Sequence, residues 1–273
     1  MDELLTMLRM KFDYTRELLT MGLILARTLP MCFLVPFLGG QQAPPELKMS
    51  LGVLIALLVW PLAQASLTGP IPIYAFPFLL LMLKETLVGF AIGFAVTHIF
   101  AALETAGRFI DTARGAAMSE VLVPTSRSRA TPIGTLYNQL MVVLFTALGG
   151  HYVLIETFCF SFARIPLNAS IALVPGFSPF VAYSARLTSD VMLIATLLAA
   201  PAIAATFLTD LVFGVLNRVA PQLNAYFMAM PVKAIGALAL MLVGLQPFLY
   251  RLVYYIGETL LTVQNSLLLL APR

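Results

Sequence analysis

The sequence predicts an all-α protein of the membrane type, with about six long, partly broken hydrophobic helices. Three observations lead there. Of 273 residues, 60% are hydrophobic and only 11% are charged, whereas a soluble domain carries about 25% charged residues. Mean hydropathy is +0.93. Apolar runs also recur at lengths near the roughly 20 residues that a helix needs to cross the hydrocarbon core. Too little polar surface remains for a soluble globular enzyme. The net charge of +3, from 16 Lys and Arg against 13 Asp and Glu, is too small and dispersed for nucleic-acid binding.

The elements follow in order. Residues 1–17 mix both charge signs (Asp2, Glu3, Arg9, Lys11, Asp13, Arg16, Glu17), which does not suit a cleavable signal peptide. Leu4, Leu5, Leu8 and Phe12 recur near helical spacing, so either a short amphipathic helix or a solvated tail leads into the first span. The apolar stretches are about 18–38, 49–67, 73–103, 134–160, 187–215 and 230–262. The third and sixth exceed one crossing and must tilt, kink or protrude. Pro30, Pro36, Pro61, Pro77, Pro201 and Pro247 fall in or beside these runs and predict kinks. Residues 39–48 and 68–72 read as turns, and 161–186 as a polar link without strong periodicity.

Residues 104–133 stand apart. They hold Glu104, Arg108, Asp111, Arg114, Glu120, Arg127 and Arg129 among small residues such as Ala106, Gly107 and Gly115. Two readings fit: a solvated loop, or a loop entering a narrow, protein-lined space. Loop charges leave the topology undecided, because a six-span reading puts seven Lys and Arg on each side, where a positive-inside excess is usual.

Arg27, Lys84, Glu85, His98, Glu156 and Asp210 lie in apolar surroundings. Each must pair, face water or snorkel. Structural pairing is the favoured reading, and proton relay the alternative. Lys84 and Glu85 are neighbours that leave a helix in different directions, so they are not expected to pair with each other. Gly89 and Gly93 form a small-xxx-small pair, a mark of close helix packing. Cys32 and Cys159 lie in apolar runs and indicate no disulfide framework. No phosphate-binding loop, HExxH or GxSxG occurs, and neither His98 nor His151 has a Cys at metal-ligand spacing. The chain is therefore read as a non-enzyme without metal or cofactor.

Residues 213–233, FGVLNRVAPQLNAYFMAMPVK, join two apolar helices through Arg218, Pro221, Gln222 and Asn224. This stretch resembles the signature of the FliR/YscT/HrcT/SpaR family, the export-gate subunit of type III secretion systems. Arg27 followed by Pro36, Lys84-Glu85 through Gly89 and Gly93, residues 106–124, and Phe145 with Gly149-Gly150-His151 resemble that family in the same order. The wording around 110–115 and 230–233 is more similar to the injectisome subunit than to the flagellar one. Many relatives carry Asp-Pro where this chain has Val123-Pro124, so that acid's role is not carried over.

The resemblance implies a bacterial inner-membrane subunit. It would join a pentameric gate protein and a small helical-hairpin protein, with the autocleaving switch protein nearby, in a complex displaced toward the periplasm. Residues 1–186 would resemble the pentameric partner, and 187–273 would form a hairpin resembling the small one. A plug at about 107–123 would close the channel to unfolded substrates. Its implied residues are Gly107, Arg108, Phe109, Ile110, Asp111, Arg114, Gly115, Met118, Glu120, Val121 and Leu122. Arg27, Lys84, Glu85, Gly89, Gly93, Asp210, Arg218, Pro221 and Asn224 would serve assembly and packing. The rival reading from another class is a proton-coupled secondary transporter using Lys84, Glu85 and Asp210.

Overall fold

The computed structural model describes residues 14–38, 43–67, 69–72, 74–115, 131–169, 173–222, 224–225, 227–240, 250, 253, 254 and 257. They are mostly helical, and no strand occurs among them. The helices are α1 (Tyr14–Leu34), α2 (Pro45–Ala65), α3 (Ala75–Ala113), α4 (Pro132–Ala147), α5 (Gly150–Arg164), α6 (Leu173–Val219) and α7 (Phe227–Leu240), with a 3-10 turn at Pro36–Leu38. Stretches of α1, α2, α3 and α6 are long and apolar enough to cross a membrane, and α4 with α5 adds a fifth as one bent span. The amphipathic N-terminal reading falls outside the described residues.

Local chemistry explains the boundaries. Pro44 and Pro45 open α2, with Pro45 in the first turn, where its missing N–H costs nothing, and Glu46 beside it complements the helix dipole. Gly115, at φ +84°, ends α3 in the left-handed conformation. Two sequence expectations are corrected. The charged stretch from 104 is not a loop at its start: α3 runs on to Ala113. There, Arg108 and Glu104 pair one turn apart on an outer face, so charge and helix coexist. The link at 161–186 likewise contains the end of α5 and, from Leu173, the beginning of α6.

Breaks also fall elsewhere than predicted. Helices α1, α2 and α6 run through Pro30, Pro61 and Pro201. The expected single segment 134–160 is instead interrupted at Gly149, with φ +76°. A Cβ on Gly150 would lie 2.6 Å from the Phe145 ring. That ring packs against Phe100, tilted by 56° with centroids 5.3 Å apart. Glycine, rather than proline, sets this turn.

The chain divides into two compact units, Met1–Val96 with Tyr152–Val181 and Val263–Arg273, and Thr97–His151 with Ala182–Thr262. In the first, α1 packs on α2 and on the early part of α3. Leu23, Ile24, Val88 and Ile92 are fully buried there. The backbones approach very closely: a Cβ on Gly89 would meet the Arg27 carbonyl oxygen at 1.9 Å, and one on Gly93 would meet Met31 Cα at 3.1 Å. In the second unit, Ile99, Leu103, Ala106 and Ile110 form a buried stripe along α3 at helical spacing. Apolar side chains such as Leu58, Phe76, Leu79, Val212 and Val215 are more than half exposed, as suits lipid or partner subunits.

The glycine contacts give an ordered prediction. Gly89→Ala should destabilise by about 1–3 kcal/mol or more, because the obstacle is backbone. Gly52→Ala meets the flexible Leu29 Cδ2 at 2.7 Å and should cost less. Gly214→Ala, inside α6 with nothing within 4 Å of its Cβ, should cost nothing and gain up to about 1 kcal/mol of helix propensity. Thermal unfolding in detergent checks the order; equal losses at all three positions would refute it.

Candidate functional site

Two polar centres stand out, one in each unit. The first is built on Arg27, which is fully buried. Its Nε donates to Glu85 Oε2, its Nη1 to Ser161 Oγ at 3.0 Å, and its Nη2 to the Ile165 carbonyl at 2.8 Å. The guanidinium also lies 4.2 Å from the Phe162 ring centroid, a cation–π contact. The close approach allowed by Gly89 brings α1 near enough to α3 for the Arg27–Glu85 pair.

Lys84 completes this centre. Its Nζ donates to the carbonyls of Pro166, Leu167 and Ala169 at 2.8, 2.9 and 3.0 Å. Those bonds use all three ammonium hydrogens. Glu85 Oε1 lies 2.6 Å from the same nitrogen and balances its charge. The expectation that Lys84 and Glu85 do not pair is therefore corrected. Their directions diverge at the helix, but the long lysine stem curls toward the carbonyl-lined turn, and Glu85 sits between the two cations. Two cations and one carboxylate leave one positive charge, which faces the carbonyls beyond the C-terminus of α5. That end of a helix carries partial negative charge. The charges are compensated within the centre, although Glu85 Oε1 accepts no hydrogen bond there and is held by charge alone.

The second centre joins α3 to α4. Asp111 is 2% exposed. Its Oδ2 accepts from the backbone N–H groups of Ile133 and Gly134, at 3.0 and 3.2 Å. Its Oδ1 accepts from Arg114, with Nε at 2.9 Å and Nη2 at 2.6 Å. Thr131 occupies the N-cap position of α4 but makes no side-chain cap bond. Asp111 supplies that cap from another helix. One turn earlier on the same face, Gly107 permits the crossing: a Cβ there would lie 2.5 Å from Gly134 Cα.

Other expected site residues take varied positions. Arg108 is exposed and paired with Glu104. Phe109 is half-buried, Ile110 is buried, and Gly115 forms the end of α3. Met118, Glu120, Val121 and Leu122 lie outside the described residues. Asp210 pairs with Lys233 of α7. Arg218 is exposed in the last turn of α6, and Pro221 and Asn224 are exposed between α6 and α7, where the Asn224 carbonyl accepts from the Met228 N–H at 3.3 Å. Sequence reasoning missed Ser161, the carbonyls of 165–169, Gly134 and Lys233. Of these, only Gly134 carried a signal: it closely follows Pro132, a helix-opening residue. No group of three or more metal-ligating side chains occurs among the described residues.

The buried centre yields a graded expectation. Arg27→Ala leaves Glu85 under-compensated and should cost about 3–5 kcal/mol. Arg27→Lys should not restore stability, since one ammonium cannot reach Glu85, Ser161 and Ile165 while stacking on Phe162. Membrane accumulation and thermal unfolding in detergent test this; wild-type behaviour of the lysine variant would refute it.

Comparison with known proteins follows the chain almost end to end. The family described as bacterial export proteins, family 1, matches residues 18–259. Yop proteins translocation protein T of Yersinia pestis is 31% identical over 258 residues, covering 94% of this chain and 96% of that protein. Secretion system apparatus protein SsaT of Salmonella typhimurium is 29% identical, covering 89% and 92%. Flagellar biosynthetic protein FliR of Escherichia coli is 27% identical, covering 80% of each.

Proposed function

Because the chain belongs to the bacterial export proteins of family 1, we propose that it is the subunit of a type III secretion export gate that helps form and plug the channel for unfolded substrate proteins. The observation that carries this reading is coverage: relatives named for translocation and secretion align along nearly their whole length. The injectisome branch is favoured over the flagellar one by the 31% identity to translocation protein T, against 27% to the E. coli flagellar protein.

In this reading the protein resides in the bacterial inner membrane and assembles there with a pentameric gate protein and a small hairpin protein, the complex displaced toward the periplasm. Residues 1–186 take the part of the pentameric partner's fold, and 187–273 the hairpin. The Asp210–Lys233 pair between α6 and α7 suits such a hairpin. The exposed apolar residues on α2, α3 and α6 suit contact with partner helices or lipid. The gate has no chemical step of its own: it holds a passage closed until substrate and an external energy source open it.

The plug reading keeps the stretch of about 107–123 but divides its labour. Residues 107–115 form the helical stem and its end, and the closing role is assigned to the rest of the stretch, 116–123, which lies outside the described residues. The transporter reading loses support at its own residues. Lys84 and Glu85 are nearly or fully buried, with their charges compensated by one another, Arg27 and backbone carbonyls. Asp210, the third member, pairs with Lys233. A coupling site needs a carboxylate free to exchange protons with a water path.

Two measurements test the proposal. Co-expressed with its genomic neighbours and purified through a tag on this chain, the protein should appear by native mass as one copy in a large complex with two smaller membrane proteins. A stable monomer that ignores them would refute the gate. Deleting 116–123, which spares the stem, should raise small-solute permeability without loss of assembly. Unchanged leakage in an assembled complex would remove the plug.

A further inference from the structure

The second polar centre has a consequence for gating. Helix α3 ends at Ala113, with Gly115 just beyond it, and α4 begins at Pro132. Both ends meet at one carboxylate. Asp111 Oδ2 holds the first two free N–H groups of α4, and Oδ1 holds Arg114 at the end of α3. Gly107 and Gly134 bring the two backbones together one turn away. An N-cap is ordinarily supplied by the residue just before the helix. Thr131 stands there, with φ −115° and ψ 69°, and makes no cap bond. The cap comes instead from a side chain about twenty positions upstream, on a different helix. Capping α4 does not require this arrangement, but joining α4 to α3 does.

We propose that Asp111 is the positioning residue of the plug stem: it ties the end of α3 to the start of α4. The inference rests on the gate reading. In its terms, the ion pair with Arg114 fixes the end of α3 and the two backbone bonds fix the start of α4. Loss of the carboxylate frees both ends at once. The bulk of α3 and α4 stays in place through the buried stripe of Ile99, Leu103, Ala106 and Ile110 and through the Phe100–Phe145 contact.

The experiment separates tying from mere capping. Complexes of this chain with its gate partners are purified and reconstituted in vesicles, and release of encapsulated calcein is followed. Asp111→Ala should raise the release rate about ten-fold, the scale of one lost cap. The double variant Asp111→Ala with Thr131→Asp gives α4 a cap of its own but no tie to α3. It should assemble at wild-type yield and still leak. Asp111→Asn keeps one oxygen for the two N–H groups and should leak less than Asp111→Ala.

Return of the double variant to the wild-type rate would overturn the proposal, because capping alone would then account for Asp111. Failure of both variants to assemble would also overturn it, since the residue would then serve assembly as a whole. The 116–123 deletion distinguishes the two levels. If the deletion leaks and both Asp111 variants stay tight, the plug stands and the stem role falls. If the deletion stays tight as well, the gate reading itself fails.

Discussion

Everything in the first unit depends on housing two cations and one carboxylate without water. Arg27, Lys84 and Glu85 sit at most 5% exposed in a chain that is 60% hydrophobic. Such a group is stable only if every donor finds an acceptor in good geometry. The acceptors come from the turn beyond α5, which offers four carbonyls (Ile165, Pro166, Leu167, Ala169) to two side chains. That requirement fixes where α5 must end relative to α1 and α3. It also explains why α1 and α3 touch through Gly89: any larger residue would push Glu85 away from Arg27.

The two centres solve different problems with one device. In each, a backbone group left over at a helix end is satisfied by a charged side chain from a distant part of the sequence. The ammonium and guanidinium take carbonyls after α5, and the Asp111 carboxylate takes N–H groups at the start of α4. Helix ends are where an apolar bundle has unmet hydrogen-bonding capacity. Charged residues are scarce in this chain, and its buried ones are concentrated there. Glycine supplies the accompanying close approach both times, at Gly89 in one unit and at Gly107 with Gly134 in the other.

Much of the architecture was legible in the sequence. Apolar runs placed the helices, because a hydrocarbon environment leaves backbone groups no other route to satisfaction. The chemistry of Arg27, Glu85, Gly89 and Gly93 could be guessed from type and spacing. The Lys84–Glu85 contact could not, because neighbour rules on a helix describe short-range directions, and the Lys84 side chain is drawn round by carbonyls some eighty residues away. The helical character of 104–113 was hidden by its charges: Glu104 and Arg108 sit on an outer face, while Asp111 is buried with Ala106 and Ile110. Prolines suggested breaks, yet the break fell at Gly149, where a positive φ was needed.

The spacing of Arg27 from its partners has a consequence for how the protein is made. Glu85 lies 58 residues later in the chain, Ser161 lies 134 later and Ile165 lies 138 later. At a synthesis rate of about 5–20 residues per second, the last acceptor is made on the order of ten seconds after the arginine. Until Glu85 is made the first helix carries an unpartnered guanidinium, and until Ser161 and Ile165 follow it carries one only partly satisfied. It must wait at the insertion machinery or lie near the lipid headgroups, and it can settle to its final depth only once α5 has emerged. The order of translation thus makes the end of α5 the step that commits the first unit to its native form.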